Sequence, residues 1–145
     1  MENIIFLDLD GVLNIVSGDN PTYLSQENHF ESKLVQNFNE LLHESDILLV
    51  MSSSWRNDFD DALKQLEMAG FEHFDRFIDI TGNLNHRGLE IEEWLGSDFK
   101  GKYLCVDDNI KEIKQCIPME NILEVDPSIG LNVDYIDKIK SHFDI

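Results

Sequence analysis

Five short apolar runs alternate along the chain with longer segments in which apolar residues recur every three or four positions. The runs are rich in β-branched and aromatic residues, and they predict strands at residues 4–7, 47–51, 77–80, 103–106 and 122–125, the first two of them buried. The three- and four-residue spacing between them predicts amphipathic helices, each with one buried face. The pattern is therefore one of strands and helices in alternation.

Four helical segments carry apolar residues at this spacing. Their buried faces are, in chain order, Phe30, Leu34, Val35, Phe38, Leu41 and Leu42; Phe59, Leu63, Leu66 and Ala69; Ile91, Trp94 and Leu95; and Val133, Ile136, Ile139 and Phe143. Asn57 or Asp58 can cap the second helix, and Gly70 ends it. Arg87 opens the third helix, and Asn132 can cap the last.

Strands that alternate with helices of this length predict an α/β sandwich with a parallel sheet. Right-handed crossovers leave few topologies open. If the chain winds outward from strand one through strands two and three, and then places strand four on the other side of strand one, the strand order is 5-4-1-2-3. Ligands bind such sheets beyond the carboxyl ends of the strands, where strands one and four become neighbours. The polar stretch at residues 15–28 has the composition of a loop beside this edge.

The chain has 145 residues, which is a single-domain length, so we expect residues 1–145 to form one domain with one core. The first strand begins by the third residue, and no apolar run reaches about 18 residues. We therefore expect neither a signal peptide nor a membrane span, and a cytoplasmic location. Cys105 and Cys116 have no metal-binding or CxxC spacing and fit a reducing compartment.

The formal charge of −18 restricts the partners of this chain. Such a charge repels polyphosphate backbones at long range, which opposes non-specific nucleic-acid binding, although a local basic pocket can still hold one phosphate. A small or mobile substrate is favoured. Because the acids are spread over every predicted helix, their contribution to solubility explains most of the charge.

Two acids follow the first strand, Asp8 and Asp10, and Gly11 comes next. Side chains alternate along a strand, so positions i and i+2 start on the same face, and glycine lets the backbone approach a ligand closely. These features are typical of metal and phosphate sites. A calcium loop of the EF-hand type is excluded, because it needs glycine at the sixth position and Gly11 occupies the fourth.

A second pair of acids, Asp107 and Asp108, ends the fourth strand. Adjacent strand residues point apart, so we expect one of them to bind metal directly and the other to orient it or to bind nearby backbone. With Asp8 and Asp10 they form the candidate metal ligands. Carboxylates that leave room for water and substrate phosphate favour Mg²⁺.

Three serines, Ser52, Ser53 and Ser54, end the second strand ahead of a helix. Their hydroxyls, together with the backbone N–H groups of a helix start, can bind a phosphate oxygen. A capping run is the alternative interpretation. Trp55 is more typical of a packing residue than of a substrate platform, and Arg56 fits either the surface or a substrate contact.

These segments carry a family resemblance. Residues 8–14, from Asp8 to Asn14, resemble motif I of the haloacid dehalogenase (HAD) superfamily, whose members are mostly phosphatases and phosphotransferases. Residues 52–56, 87–95 and 106–108 follow in the order of the later motifs. Together they resemble the small capless HAD domains of Swiss-army-knife RNA-repair proteins, from about residue 3 to the last helix. The resemblance implies a three-layer Rossmann-like fold, and the gaps between motifs leave no room for a cap domain.

The resemblance also implies roles for the motif residues. It makes Asp8 the nucleophile that forms an aspartyl-phosphate and Asp10 the general acid/base. Asp108 aligns better than its neighbour with the superfamily's metal ligand. Alignment on the tryptophan favours Ser53 as the phosphate-binding serine, whereas counting from the strand favours Ser52.

Phosphoryl transfer needs a fixed cation against the charge of the equatorial oxygens. The superfamily commonly supplies a lysine, and this chain has Arg87 at the matching helix start. Arginine can grip phosphate with two N–H groups. Lys102, ahead of the fourth strand, is the alternative cation, and a plain surface role for Arg87 is also open.

The sequence thus predicts a Mg²⁺-dependent phosphohydrolase that acts on a phosphomonoester, either a small molecule or a nucleic-acid end. Transfer to an acceptor other than water is one alternative. A non-catalytic metal-binding or regulatory module is another, and the presence of both motif I acids speaks against it, because a scaffold does not require Asp10.

Overall fold

A computed structural model describes residues 2–16 and 30–145, with the exception of the Arg56 side chain. Most of the predicted loop at residues 15–28 lies outside these ranges. The sheet has five parallel strands: β1 (Asn3–Leu7), β2 (Leu48–Met51), β3 (Phe77–Ile80), β4 (Lys102–Asp107) and β5 (Ile122–Glu124). Their order, β3-β2-β1-β4-β5, confirms the predicted topology.

The helices are α1 (Ser32–His43), α2 (Phe59–Met68), α3 (Arg87–Leu95), the short α4 (Ile113–Cys116) and α5 (Val133–Phe143). A 3₁₀ turn at Ser54–Asp58 leads into α2. The predicted cap of the last helix is confirmed, since Asn132 Oδ1 accepts the N–H of Tyr135 at 3.2 Å. At the start of α3, His86 Nδ1 accepts the N–H of Leu89. Among the described residues, no helix has the length and apolar character needed to cross a bilayer.

Alternation along the strands divides the core into two layers. Ile5 and Leu7 of β1 pack with the faces of α1, α2 and α5. Ile4 and Phe6, which point the other way, pack with α3 and α4. The result is the expected three-layer sandwich. One predicted core residue is wrong: Val133 is 55 % exposed, because α5 covers the core only from its second turn onward.

The register of the central strands brings the candidate site together. Leu7, the last residue of β1, lies beside Met51 of β2 and Val106 of β4. Directly beyond this row, the N–H of Asp8 donates to Val106 O at 3.0 Å, and the N–H of Ser52 donates to Leu7 O at 2.9 Å. Parallel strands end at one edge, so residues far apart in sequence meet there.

Candidate active site

A cavity of about 430 Å³ opens at this edge of the sheet. It is lined by Asp8, Asp10, Ser54, Arg87, Asp107, Asp108, Asn109, Lys111 and Glu112. The fold therefore brings all four predicted carboxylates and the predicted cation Arg87 to one cavity. Asn109, Lys111 and Glu112 were not candidates from the sequence; their only signal there is that they follow the second pair of acids.

Three of the carboxylates form a compact group. Asp8, Asp107 and Asp108 each offer one oxygen, and these oxygens lie within 4.8 Å of one another. Asp107 and Asp108 both take part, because Asp108 lies one residue beyond β4, where the alternation of a strand no longer separates neighbours. The side chain of Asp10, a fourth predicted ligand, is not in this group.

Burial disfavours the ionised form of the carboxyl groups in this cluster. Burial, and after it the charge of Asp107, raises the pKa of Asp8 well above its usual range, although Arg87 acts in the opposite direction. Burial raises the pKa of Asp107 to about 6, although Arg87 and the backbone N–H of Asn109 lower it. The residues fit a divalent cation, since a hard cation prefers oxygen donors and relieves the repulsion between buried carboxylates.

Arg87 supplies a positive charge beside the group. Its Nη1 donates to Asp107 Oδ2 at 2.6 Å and to the backbone oxygen of Ser52 at 2.8 Å. The same atom lies 3.7 Å from Asp8 Oδ1. Burial disfavours the charged guanidinium, but Asp107 and Asp8 outweigh burial and raise the pKa of Arg87.

Lys102, the alternative cation, lies elsewhere. It begins β4, whereas the cavity lies beyond the end of that strand. Its Nζ forms an exposed ion pair with Asp144 Oδ2 at 2.5 Å. Of the two predicted cations, the structure brings only the arginine to the cavity.

Asp10 is held on both of its oxygens. Asn14 Nδ2 donates to Oδ1 at 3.0 Å, and Trp55 Nε1 donates to Oδ2 at 3.0 Å. Asn14 belongs to the same turn, but Trp55 is 45 residues away and follows β2. The tryptophan also packs against Phe30, with 5.8 Å between ring centroids, as a packing residue would. Its bond to Asp10 leaves no signal in the sequence.

The three serines have different environments. Ser53 is buried, and its Oγ accepts the backbone N–H of Trp55 at 3.2 Å, which caps the 3₁₀ turn. Ser52 is also buried, and its Oγ has no hydrogen-bond partner among the described residues. Ser54 is exposed and lines the cavity. The side chain of Arg56, another predicted phosphate contact, lies outside the described residues.

Gly11 is where the two acidic segments touch. Its φ is +80°, a conformation that favours glycine. A Cβ built at this position would lie 2.4 Å from Asp108 Oδ2. Both the turn after β1 and the close approach of Asp108 therefore require glycine here.

Comparison with known proteins adds one finding. The family model described as "HAD domain in Swiss Army Knife RNA repair proteins" matches residues 4–136. All of the residues that line the cavity fall within this range. No curated protein and no solved structure matches the chain.

Proposed function

Because the chain belongs to the HAD-domain family of Swiss Army Knife RNA repair proteins, we propose that it is a divalent-metal-dependent phosphomonoesterase with Asp8 as its nucleophile. The family supports a HAD-type hydrolase. One observation carries the finer assignment: Asp8 shares a group of carboxylate oxygens within 4.8 Å with Asp107 and Asp108, beside the Arg87 guanidinium. We also propose that the whole chain is one catalytic domain without a cap.

We propose Mg²⁺ as the metal, held by Asp8, Asp107 and Asp108. The donors are all carboxylate oxygens, which a hard cation prefers, and three of them leave room for water and substrate phosphate. When bound, Mg²⁺ neutralises phosphate oxygens and favours the ionised form of its carboxylate ligands. Asp8 needs such help, since its pKa is raised by burial and a nucleophile must be ionised.

The reaction then has two steps. An oxygen of ionised Asp8 attacks phosphorus, the bond from phosphorus to the leaving oxygen breaks, and protonated Asp10 gives its proton to that oxygen. In the second step, ionised Asp10 takes a proton from water while the water oxygen attacks the aspartyl-phosphate. Inorganic phosphate leaves, Asp8 is restored as a carboxylate, and Asp10 is protonated again.

Arg87 and Ser52 are suited to bind the phosphoryl oxygens. Arg87 Nη1 is anchored by Asp107 and by the Ser52 backbone, and the guanidinium carries further N–H donors on its other nitrogens. A fixed cation at this position stabilises the charge that the transition state spreads over the equatorial oxygens. Between Ser52 and Ser53, we propose Ser52 as the phosphate-binding hydroxyl, since Ser52 Oγ has no hydrogen-bond partner among the described residues and its O–H is available to donate.

For the substrate, we propose a terminal phosphate of RNA. The family description names RNA repair proteins, whereas the charge of −18 opposes binding along a nucleic-acid backbone. The end of an RNA strand is compatible with both the family description and the net charge, because only one phosphate has to enter the acidic cavity. A small phosphomonoester is the alternative, and a substrate panel separates the two.

The test compares phosphate release by the wild type and by Asp8→Asn, which keeps the size of the side chain and removes the nucleophile. The substrates are p-nitrophenyl phosphate and 3′- and 5′-phosphorylated oligoribonucleotides, each with Mg²⁺ or with EDTA. We expect release only by the wild type with Mg²⁺, and a higher kcat/KM for one of the oligonucleotides. Equal release by the two proteins contradicts the assignment of Asp8. Calorimetric Mg²⁺ binding without any release favours the non-catalytic metal-binding module.

A further inference from the structure

We propose that Trp55 is a positioning residue for Asp10, whose carboxyl group it holds in the orientation needed for proton transfer. This inference rests on the proposed function. The contact that carries it is the bond from Trp55 Nε1 to Asp10 Oδ2, at 3.0 Å. Trp55 acts through Asp10, and it is not among the residues that line the cavity.

Two donors fix the plane of the Asp10 carboxyl group. Rotation of an aspartate about its last side-chain bond is broad when nothing holds it. Here Asn14 Nδ2 bonds to Oδ1 while Trp55 Nε1 bonds to Oδ2, so both oxygens are restrained. The amide orientation of Asn14 is itself set, because its Oδ1 accepts the N–H of Gly11 at 2.7 Å.

The tryptophan is also held firmly. Its backbone N–H donates to Ser53 Oγ at 3.2 Å, and its ring packs against Phe30. Trp55 therefore ties the turn after β1 to the end of β2, from which the proposed phosphate-binding serine also comes. An indole N–H can only donate, so the lone pair that it occupies on Oδ2 is unable to hold the transferred proton. The proton is thereby confined to the remaining positions of the carboxyl group.

The orientation of Asp10 affects the rate most for substrates whose leaving group needs a proton. An alkyl leaving group, such as a ribose or glycerol oxygen, leaves as a poor alkoxide unless Asp10 protonates it. p-Nitrophenolate is a stable anion and leaves without a proton. Since kcat/KM reports the steps up to the first irreversible one, loss of positioning should lower it for alkyl phosphates and spare it for the aryl phosphate.

The chain offers a matched control, because it has two tryptophans and each donates to a carboxylate. Trp94 Nε1 donates to Asp79 Oδ2 at 2.9 Å, away from the cavity, while its ring packs against Phe6. Trp94→Phe and Trp55→Phe thus remove the same N–H group and the same ring volume. Only the second change touches Asp10.

The experiment measures kcat and KM for glycerol phosphate and p-nitrophenyl phosphate with wild type, Trp55→Phe and Trp94→Phe in Mg²⁺. We expect Trp55→Phe to lower kcat/KM for glycerol phosphate about tenfold to a hundredfold, mainly through kcat, and to change the aryl value by less than about threefold. Trp94→Phe should match the wild type on both. In an Asp10→Asn background, Trp55→Phe should cause no further loss, since it acts through the missing carboxyl group.

Equal losses on both phosphates, or a full additional loss in the Asp10→Asn background, would overturn the inference while leaving the phosphatase assignment intact. A wild type that hydrolyses neither of these phosphates nor the phosphorylated oligoribonucleotides would overturn the proposed function, and this inference with it. If Trp55→Phe does not fold, the two indole N–H resonances of the remaining proteins provide the test. Asp10→Asn must then shift one indole signal and leave the Trp94 signal in place; two unshifted signals refute the contact.

Discussion

Arg87 and Asp107 form an ion pair between the start of α3 and the end of β4, with 2.6 Å between Nη1 and Oδ2. Asp107 is 2 % exposed, and the positive charge of Arg87 lowers its pKa against the effect of burial. The same Nη1 lies 3.7 Å from the buried Asp8. One cation therefore serves two buried carboxylates, with Asp108 close by. Negative charge is in excess at this site unless a further cation binds.

The excess of negative charge predicts stabilisation by Mg²⁺. An ion that binds only the folded state at a hundred times its Kd adds about 2.7 kcal/mol to the free energy of unfolding. We expect the melting temperature at pH 7 to be higher in millimolar Mg²⁺ than in EDTA. Asp108→Asn, which removes one ligand, should abolish most of this difference. Identical melts of the wild type in the two buffers would contradict the metal site.

The raised pKa values predict how stability varies with pH when metal is absent. The pKa of Asp107 is about 6 in the folded protein and 3.8 for an ordinary aspartate. A raised carboxyl pKa contributes stability that is fully present below about pH 4 and is lost as the pH rises through about 6. Asp8 is shifted in the same direction.

In EDTA, we therefore expect the free energy of unfolding to fall between pH 4 and pH 7, with a contribution from Asp107 of about 3 kcal/mol at most. Urea denaturation at a series of pH values measures it. The acidic surface produces a slope of its own, so Asp107→Asn is the control and should have a shallower slope than the wild type. Equal slopes would show that Asp107 does not titrate in this range.

Removal of the Arg87 side chain should affect both stability and catalysis. Arg87→Ala leaves Asp107 buried without its partner, which costs about 3 kcal/mol or more. We expect phosphate release to fall by about a thousandfold, as for other cations that stabilise phosphoryl transfer. Lys102→Ala is the matched control, since this lysine pairs with exposed Asp144 away from the cavity. Loss of activity in the lysine variant instead would restore Lys102 as the catalytic cation.

Gly11→Ala should lower activity as well as stability, because it displaces Asp108 in addition to straining the backbone. Gly70 has a φ of +97° and open space around a Cβ, whereas Gly11 has a φ of +80° and would place a Cβ 2.4 Å from Asp108 Oδ2. Alanine at either position costs about 1 kcal/mol of strain. Only Gly11→Ala displaces Asp108, so only this variant should lose Mg²⁺-dependent activity. Equal activity of the two variants, each shown to be folded by thermal melts, would count against a role for Asp108.

Alanine substitutions of the two buried serines should affect different properties, catalysis for Ser52 and stability for Ser53. Ser52→Ala removes a hydroxyl with no described partner, so we expect little change in stability but a lower kcat/KM. Ser53→Ala removes a cap and should lower the free energy of unfolding by about 1 kcal/mol. Kinetics and urea denaturation of both variants measure these effects. The reverse result, with kcat/KM lost only in Ser53→Ala, would favour the serine that alignment on Trp55 indicates.

Much of this site could be predicted because it lies at strand ends. Asp8 and Asp107 each border an apolar run, and parallel strands must end at a common edge once the topology is known. The positions of strand ends could not show which of the two candidate cations lies at the site. Arg87 and Lys102 both flank predicted elements, and only the direction of β4 shows that Lys102 begins the strand while the cavity lies beyond its end.

Side-chain contacts between residues far apart in the sequence could not be predicted from the local hydrophobic pattern. Trp55 has the sequence context of a packing residue, and its contact with Phe30 fits that interpretation. Nothing within a few residues of it indicates a bond to Asp10, which is 45 positions away. Ser52 and Ser53 are likewise the same residue type side by side, and the capping bond to Trp55 distinguishes them only in three dimensions.

The sequence alone determined the five strands and the acids at their ends, because hydrophobic periodicity and strand ends are properties of local segments. The order of the strands followed from the rules for crossover connections and from the family resemblance. Only the tertiary structure decided which cation faces the carboxylates, which serine hydroxyl lacks a partner among the described residues and what holds Asp10 in place. These depend on distances of about 3 Å between side chains from different elements, and no spacing along the chain encodes such distances.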